Sequence, residues 1–141
     1  MNETFGLTER PDPSLVTYTH VVYALHAASL LVGVLGAATV VGSFLLGIPS
    51  LVAVIMNYAR RSDVRGTWLA SHFRWQIRTF WFALLWVCVA GMVSAPLVLA
   101  LGLGILVFTG LATLVGLWVL YRVARGWLAL SGARPMPDQS A

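Results

Sequence analysis

The sequence predicts an all-α, polytopic membrane protein in which four transmembrane helices form two hairpins. Hydrophobic residues make up 59% of the 141-residue chain and charged residues only 10%, whereas a soluble domain carries about 25% charged residues. Residues 13–59 and 79–121 contain no Asp, Glu, Lys or Arg. These runs are 47 and 43 residues long. About 20 helical residues cross the hydrocarbon layer, so each run accommodates two crossings.

The uncharged runs are predicted to be helices because they are apolar on every side. Lipid offers no hydrogen bonds to the backbone, which leaves helices or a closed barrel as spanning structures. Strands of a membrane barrel alternate apolar and polar residues, and neither run alternates in this way. Helices therefore fit the pattern better than strands do.

The elements follow in order within one transmembrane domain, residues 15–131. Asp12-Pro13-Ser14 is typical of a helix start, because a capping side chain precedes the first turn. Gly42-Ser43 is the predicted turn of the first hairpin, while Gly47 and Pro49 leave open a different break. Helices are predicted at about 15–40, 44–59, 75–99 and 105–130, with a polar tail at 1–14, a basic loop at 60–78 and a flexible tail at 132–141.

An amphipathic interfacial helix is predicted just before the third crossing. In the string TWLASHFRWQIRTFW, which runs from Thr67 to Trp81, Ser71, Arg74 and Arg78 recur at helical spacing on one stripe. Apolar side chains occupy the opposite face, and tryptophans flank it. Such a helix lies at the lipid head groups with its arginines reaching the phosphates.

The orientation is predicted from the arginines, which supply all nine basic residues. Five lie between residues 60 and 78 and three follow residue 121, whereas the turns near 40–43 and 100–104 carry no charge. Arginines beside short loops stay cytoplasmic. We therefore expect a bacterial inner-membrane protein with both termini and the basic loop in the cytoplasm.

A candidate anion-binding site follows from the same segment. Arginine matches phosphate and carboxylate groups, and histidine and glutamine add directed hydrogen bonds. Arginines at the end of the fourth helix are in a position to close this site. The candidate anion- or lipid-binding residues are His72, Arg74, Gln76, Arg78, Arg122 and Arg125.

The segment from Asn57 to Trp81, NYARRSDVRGTWLASHFRWQIRTFW, resembles the signature of a family of small proteobacterial inner-membrane proteins of unknown function. A second matching piece is Tyr121-Arg122-x-x-Arg125-Gly126, followed by Pro135 and Pro137. This family is distantly similar to bacterial relatives of Tic-twenty, a four-helix subunit of chloroplast protein import. The resemblance implies four helices with cytoplasmic ends and supplies no catalytic residue.

The side chains predict no catalytic, cofactor-binding or metal-binding residue, and we expect no enzymatic activity. Asp63 is the one acidic residue between Asp12 and Asp138, so paired carboxylates and a Ser-His-Asp triad are both missing. No phosphate-binding glycine loop is present, and no compact basic domain suggests nucleic acid. His26 and His72 leave open a haem held between helices, because two facing histidines suffice for that purpose.

The predicted function is therefore that of a scaffold. An arginine- and tryptophan-rich cytoplasmic rim would bind anionic lipid head groups or another membrane protein, including a second copy. The alternative is an oligomeric transport or protein-translocation component, and the third possibility is a small haem protein.

Overall fold

A computed structural model describes residues 10–36 and 40–137, with side-chain environments for 10–33, 47–97 and 102–137. Within these ranges the regular structure is helical, which confirms the all-α prediction for the described residues. Of the predicted tails, 1–14 and 132–141, residues 1–9 and 138–141 lie outside the described residues. The four helices are α1 (Pro13–Gly36), α2 (Val40–Ala59), α3 (Leu69–Leu101) and α4 (Gly104–Ser131).

Three of the four helices are long and apolar enough to cross a membrane. The qualifying stretches are Pro13–Gly33, Leu69–Leu97 and Gly104–Ser131. In α2 the apolar stretch with described side chains is Gly47–Ala59, which is shorter than a span. The chain is thus a helical, membrane-embedded protein by length and composition.

α1 starts where the sequence predicts a helix cap. The Asp12 carboxylate accepts a hydrogen bond from the Ser14 backbone N–H at 2.8 Å, and this bond holds the pKa of Asp12 below its usual value. The helix ends at Gly36, before the predicted boundary at about residue 40, and residues 37–39 lie outside the described part.

α2 contains the four residues at which the sequence suggested a break, and the predicted turn at Gly42-Ser43 is wrong. Gly42, Ser43, Gly47 and Pro49 all lie inside the helix, which runs from Val40 to Ala59. Proline removes a backbone donor and disturbs the turn before it. Next to it, the Ser50 N–H donates to the Ser29 hydroxyl of α1 at 2.9 Å. The contact with α1 thus gives the backbone N–H that follows the proline a hydrogen-bond partner.

α3 begins at Leu69, so the predicted interfacial helix and third crossing form one helix of 33 residues. The basic loop is correspondingly shorter than the predicted 60–78 and covers 60–68. Gly66 has φ +78°, a conformation that favours glycine. No glycine or proline follows until Gly91, so nothing interrupts the helix where the amphipathic pattern becomes fully apolar.

The chain turns back after α4. Ala133 adopts φ +50°, and the Arg134 N–H donates to the Ala129 carbonyl at 2.9 Å. The following backbone returns to the start of α3, where the Met136 N–H donates to the Ser71 hydroxyl at 2.9 Å. Residues 132–137, predicted as part of a flexible tail, therefore pack against α3 as a strap, which we call the C-terminal strap.

The hydrophobic core lies at the end of the bundle that carries the 60–68 loop, which we call the loop end. α1 packs mainly on α2 and α3 mainly on α4, and the two pairs meet through α1 and α4. Farther along, α3 and α4 expose large apolar side chains such as Trp86, Met92 and Leu106. Such a surface suits lipid rather than water. The buried core cluster consists of Tyr23, Val64, Leu69, Phe73, Val123 and Leu130.

Candidate functional site

The 60–68 loop is a series of hydrogen-bonded turns that is anchored in the core, and it carries two arginines. The Asp63 N–H donates to the Arg60 carbonyl at 3.1 Å and the Thr67 N–H to the Val64 carbonyl at 3.2 Å. Val64 is only 1% exposed and belongs to the core cluster. The buried Val64 side chain fixes the backbone of the loop. It thereby fixes the places from which Arg61 and Arg65, both exposed, project on either side of it.

These loop arginines share a cavity with the first turns of α3. The cavity measures about 70 Å³. Its rim is basic and its floor is apolar, and we call it the arginine notch. It is lined by Arg61, Val64, Arg65, Ala70, Phe73 and Arg74.

Asp63 lies beside the notch and pairs with another arginine. Its carboxylate lies 3.1 Å from a guanidinium nitrogen of Arg60, in an exposed ion pair. The same guanidinium lies 5.7 Å from the centre of the Tyr18 ring on α1. The one acidic side chain of segment 60–78 is thus directed away from the notch lining.

A second basic cluster lies between α3 and α4. The Arg122 guanidinium stacks 3.6 Å from the Trp75 ring centre and 5.1 Å from that of Trp118. Its Nε donates to the Thr79 hydroxyl at 2.6 Å, and the Trp75 indole N–H donates to the Arg122 carbonyl at 3.1 Å. Through these contacts Arg122 joins α3 and α4.

Arg78 and Arg125 lie near Arg122. Both are exposed and close enough to interact electrostatically with its guanidinium. Arg125 also donates to the Tyr121 hydroxyl at 2.9 Å and lies 5.7 Å from the Trp75 ring centre. The predicted arginines of α4 thus face Trp75 of α3, and neither of them lines the notch.

His72 is fully buried and connects three parts of the chain. Its Nε2 lies 2.8 Å from the Arg134 carbonyl and its Nδ1 lies 3.0 Å from the Tyr23 hydroxyl. A carbonyl only accepts, so Nε2 carries the proton and Nδ1 accepts from Tyr23. The imidazole therefore ties α1, α3 and the C-terminal strap together and leaves neither nitrogen for a metal or haem.

Gln76 lies one turn farther along α3 and is 2% exposed. Its amide neighbours the Tyr23 hydroxyl, yet neither amide atom reaches a partner at hydrogen-bonding geometry. Buried amides are normally paired. Gln76 thus lies inside the bundle and not on the surface where the sequence predicted an anion.

The other two histidines are also engaged. The His26 Nδ1 lies 3.1 Å from the Ser50 hydroxyl, and the His20 Nδ1 accepts from the Trp127 indole N–H at 3.0 Å. Among the described residues, no three His, Cys, Asp or Glu side chains are grouped to hold a metal ion.

The six predicted site residues thus occupy three places. Arg74 lines the notch, the arginines of the α3–α4 cluster lie together near Trp75, and the remaining two side chains are interior. Sequence reasoning did not select Arg61 and Arg65, although both lie within the basic segment that it singled out. Their spacing of four along one turn-forming loop was the available signal.

Comparison with known proteins finds no relationship. No family matches the chain, and no curated protein and no solved structure is significantly similar to it.

Proposed function

We propose that the chain is a non-enzymatic protein of the bacterial inner membrane whose arginine-rich end binds anionic lipid head groups. The observation that carries this proposal is the position of the arginines. All those in the described residues lie before α1, in the 60–68 loop, in the first turns of α3, in the last third of α4 or in the C-terminal strap. These places are all at the loop end, and the opposite end has none.

The anionic lipids of the cytoplasmic leaflet suit such a surface. Each arginine near that leaflet contributes about 1 kcal/mol of attraction. Of the carboxylates in the described residues, Asp12 caps the start of α1 and Asp63 pairs with Arg60. The whole chain has nine arginines and five acidic residues, a net charge of +4, and we place the basic loop end in the cytoplasm.

A four-span arrangement is part of the proposal. α1 begins at the loop end, because the Tyr18 hydroxyl donates to the Met56 carbonyl at 2.9 Å near the end of α2. A chain that leaves the loop end through α1 must return through α2. The 20 residues of α2 extend about 30 Å as a helix, which matches the hydrocarbon thickness. The resemblance of residues 57–81 to a four-helix family supports the same arrangement.

A second candidate function is an oligomeric transport or translocation component. It is favoured by buried polar groups that have no hydrogen-bond partner: the His26 Nε2, the Asn57 and Gln76 amides and the Ser94 hydroxyl. Polar groups of this kind inside a membrane bundle are costly and often line a pathway. Water between the helices in another state would satisfy them.

Native mass spectrometry of the full chain, extracted in mild detergent, tests both functions. The chain is offered equal amounts of an anionic lipid, phosphatidylglycerol, and a zwitterionic one, phosphatidylcholine. We expect a monomer or dimer that retains the anionic lipid preferentially, with the preference decreasing as salt screens the arginines. Equal retention of the two lipids would refute lipid binding, and a higher oligomer without lipid would support transport.

A further inference from the structure

We infer that the arginine notch is a specific binding site for the phosphate of a lipid with a phosphomonoester head group. This inference rests on the proposed function and narrows it from a basic surface to one site and one class of ligand. Three arginines, Arg61, Arg65 and Arg74, line one small cavity.

The size of the cavity suits a single phosphate. A cavity of about 70 Å³ has room for a few water-sized groups, which is enough for one phosphate. The notch is open on one side, so the remainder of the ligand would lie outside it.

The charge of the notch favours a doubly charged phosphate. A phosphomonoester carries about −1.5 to −2 charges at neutral pH, whereas a phosphodiester carries one. Arg61 and Arg65 by themselves supply two positive charges, and the fork of a guanidinium matches phosphate oxygens. Asp63 does not line the notch and pairs with Arg60 instead.

The notch is also preorganised. Val64 and Phe73 in its floor are each 1% exposed and belong to the core cluster. The Thr67 hydroxyl donates to the Val64 carbonyl at 2.8 Å and closes the last turn of the loop just before α3. Binding a phosphate there requires only the arginine side chains to be ordered, which lowers its entropic cost.

The position and the floor favour a lipid over a free phosphate ion. The apolar stretch of α3 begins at Leu69, and the proposed function puts the cytoplasmic boundary of the membrane at this end of the helix. At that level the phosphate of a lipid would meet the arginines while its glycerol carbons would lie against Ala70, which is partly exposed. A free phosphate would gain only the first of these contacts.

The inference is tested by titrating the full chain in mild detergent with dioleoyl phosphatidic acid, phosphatidylglycerol, phosphatidylcholine or inorganic phosphate. Native mass spectrometry counts the bound molecules. We expect one phosphatidic acid to bind about 10-fold or more tightly than one phosphatidylglycerol, since each additional charged contact is equivalent to about a factor of ten. Inorganic phosphate should not displace it at equal concentration.

The decisive variant is R61Q/R65Q, and its matched control is R10Q/R134Q, which removes the same charge at the same end of the bundle from arginines that do not line the notch. The notch variant should lose about 10-fold or more in phosphatidic acid affinity, while the control retains the single tight site. Arg61 and Arg65 are both exposed in the loop, so their replacement should leave thermal unfolding in detergent unchanged.

Three results would overturn the inference. Equal losses in both variants would mean that binding is diffuse, which leaves the proposed function intact. Displacement by inorganic phosphate would make the notch a site for the free ion. A wild-type chain that does not discriminate phosphatidic acid or phosphatidylglycerol from phosphatidylcholine would refute the proposed function as well.

Discussion

At the scale of single residues, Gly126 shows how closely α1 and α4 approach. The Tyr23 ring of α1 lies over this glycine, and a Cβ atom built there would come 2.7 Å from the Tyr23 Cε1 atom. The ring also stacks on Trp127, with 6.5 Å between centroids. A side chain at position 126 would displace the tyrosine that donates to His72. Position 126 therefore requires a glycine, because only a glycine leaves room for the Tyr23 ring.

Gly126→Ala is expected to destabilise the protein by about 1–3 kcal/mol, because overpacking forces the ring out of place. Thermal unfolding in detergent measures this change. Gly116→Ala is the matched control on the same helix, since a Cβ atom at Gly116 meets nothing within 4 Å. The control should be neutral or slightly stabilising, because alanine favours the helix. Equal effects of the two changes would contradict the packing argument.

Residues also show where sequence reasoning fails. The stripe of Ser71, Arg74 and Arg78 was predicted to face lipid head groups as a unit. The two arginines are exposed, while the Ser71 hydroxyl accepts the Met136 N–H at the C-terminal strap. Helical periodicity gives neighbours along a face. It does not say which of them meets another segment.

At the scale of elements, the start of α3 differs from an ordinary amphipathic surface helix, whose polar face meets water. The polar side chains of its first turns, including His72, Gln76 and Thr79, are turned into the bundle, where the imidazole meets α1 and the strap. Within the membrane, polar groups of this kind join helices through hydrogen bonds. The element that the sequence marked as a surface helix is thus a central one.

His72→Phe should leave the Tyr23 hydroxyl and the Arg134 carbonyl without partners, at a cost of about 1–3 kcal/mol for each group. Tyr23→Phe leaves only one buried group, the His72 Nδ1, without a partner, and should therefore cost about half as much, about 1–3 kcal/mol in total. Unfolding in detergent compares the two variants. Hydrogen exchange of residues 133–137 should rise in His72→Phe but not in Tyr23→Phe. Unchanged exchange in His72→Phe would mean that Ser71 alone holds the strap.

At the scale of the whole molecule, the core lies at one end and the remainder depends on the membrane. Tyr23, Phe73 and Leu130 pack together at the loop end, whereas the far parts of α3 and α4 are apolar and exposed. A bilayer covers such surfaces without further protein contacts. The polar contacts that define the tertiary structure are therefore concentrated where we expect the cytoplasmic boundary.

The proposed topology predicts which positions a membrane-impermeant thiol reagent can reach. In a Cys88→Ala background, Arg10→Cys and Ser62→Cys should be labelled only from the cytoplasmic side. Leu103→Cys, in the exposed turn between α3 and α4, should be labelled only from the opposite side. The background protein itself is the unlabelled control. Labelling of positions 10 and 62 from opposite sides would show that α2 does not cross.

Composition and charge distribution were enough to predict the helical class and the apolar stretches, because the need for apolar length in a membrane acts on each segment separately. The sequence also predicts the helix start at Asp12, and it shows that the arginines are confined to a few segments. Two other features depend instead on residues distant in sequence. One is the position of Arg61 and Arg65 beside Arg74, and the other is the burial of His72. Tyr23 and Arg134 lie 49 and 62 positions from His72, and only the packing of the helices brings such groups together.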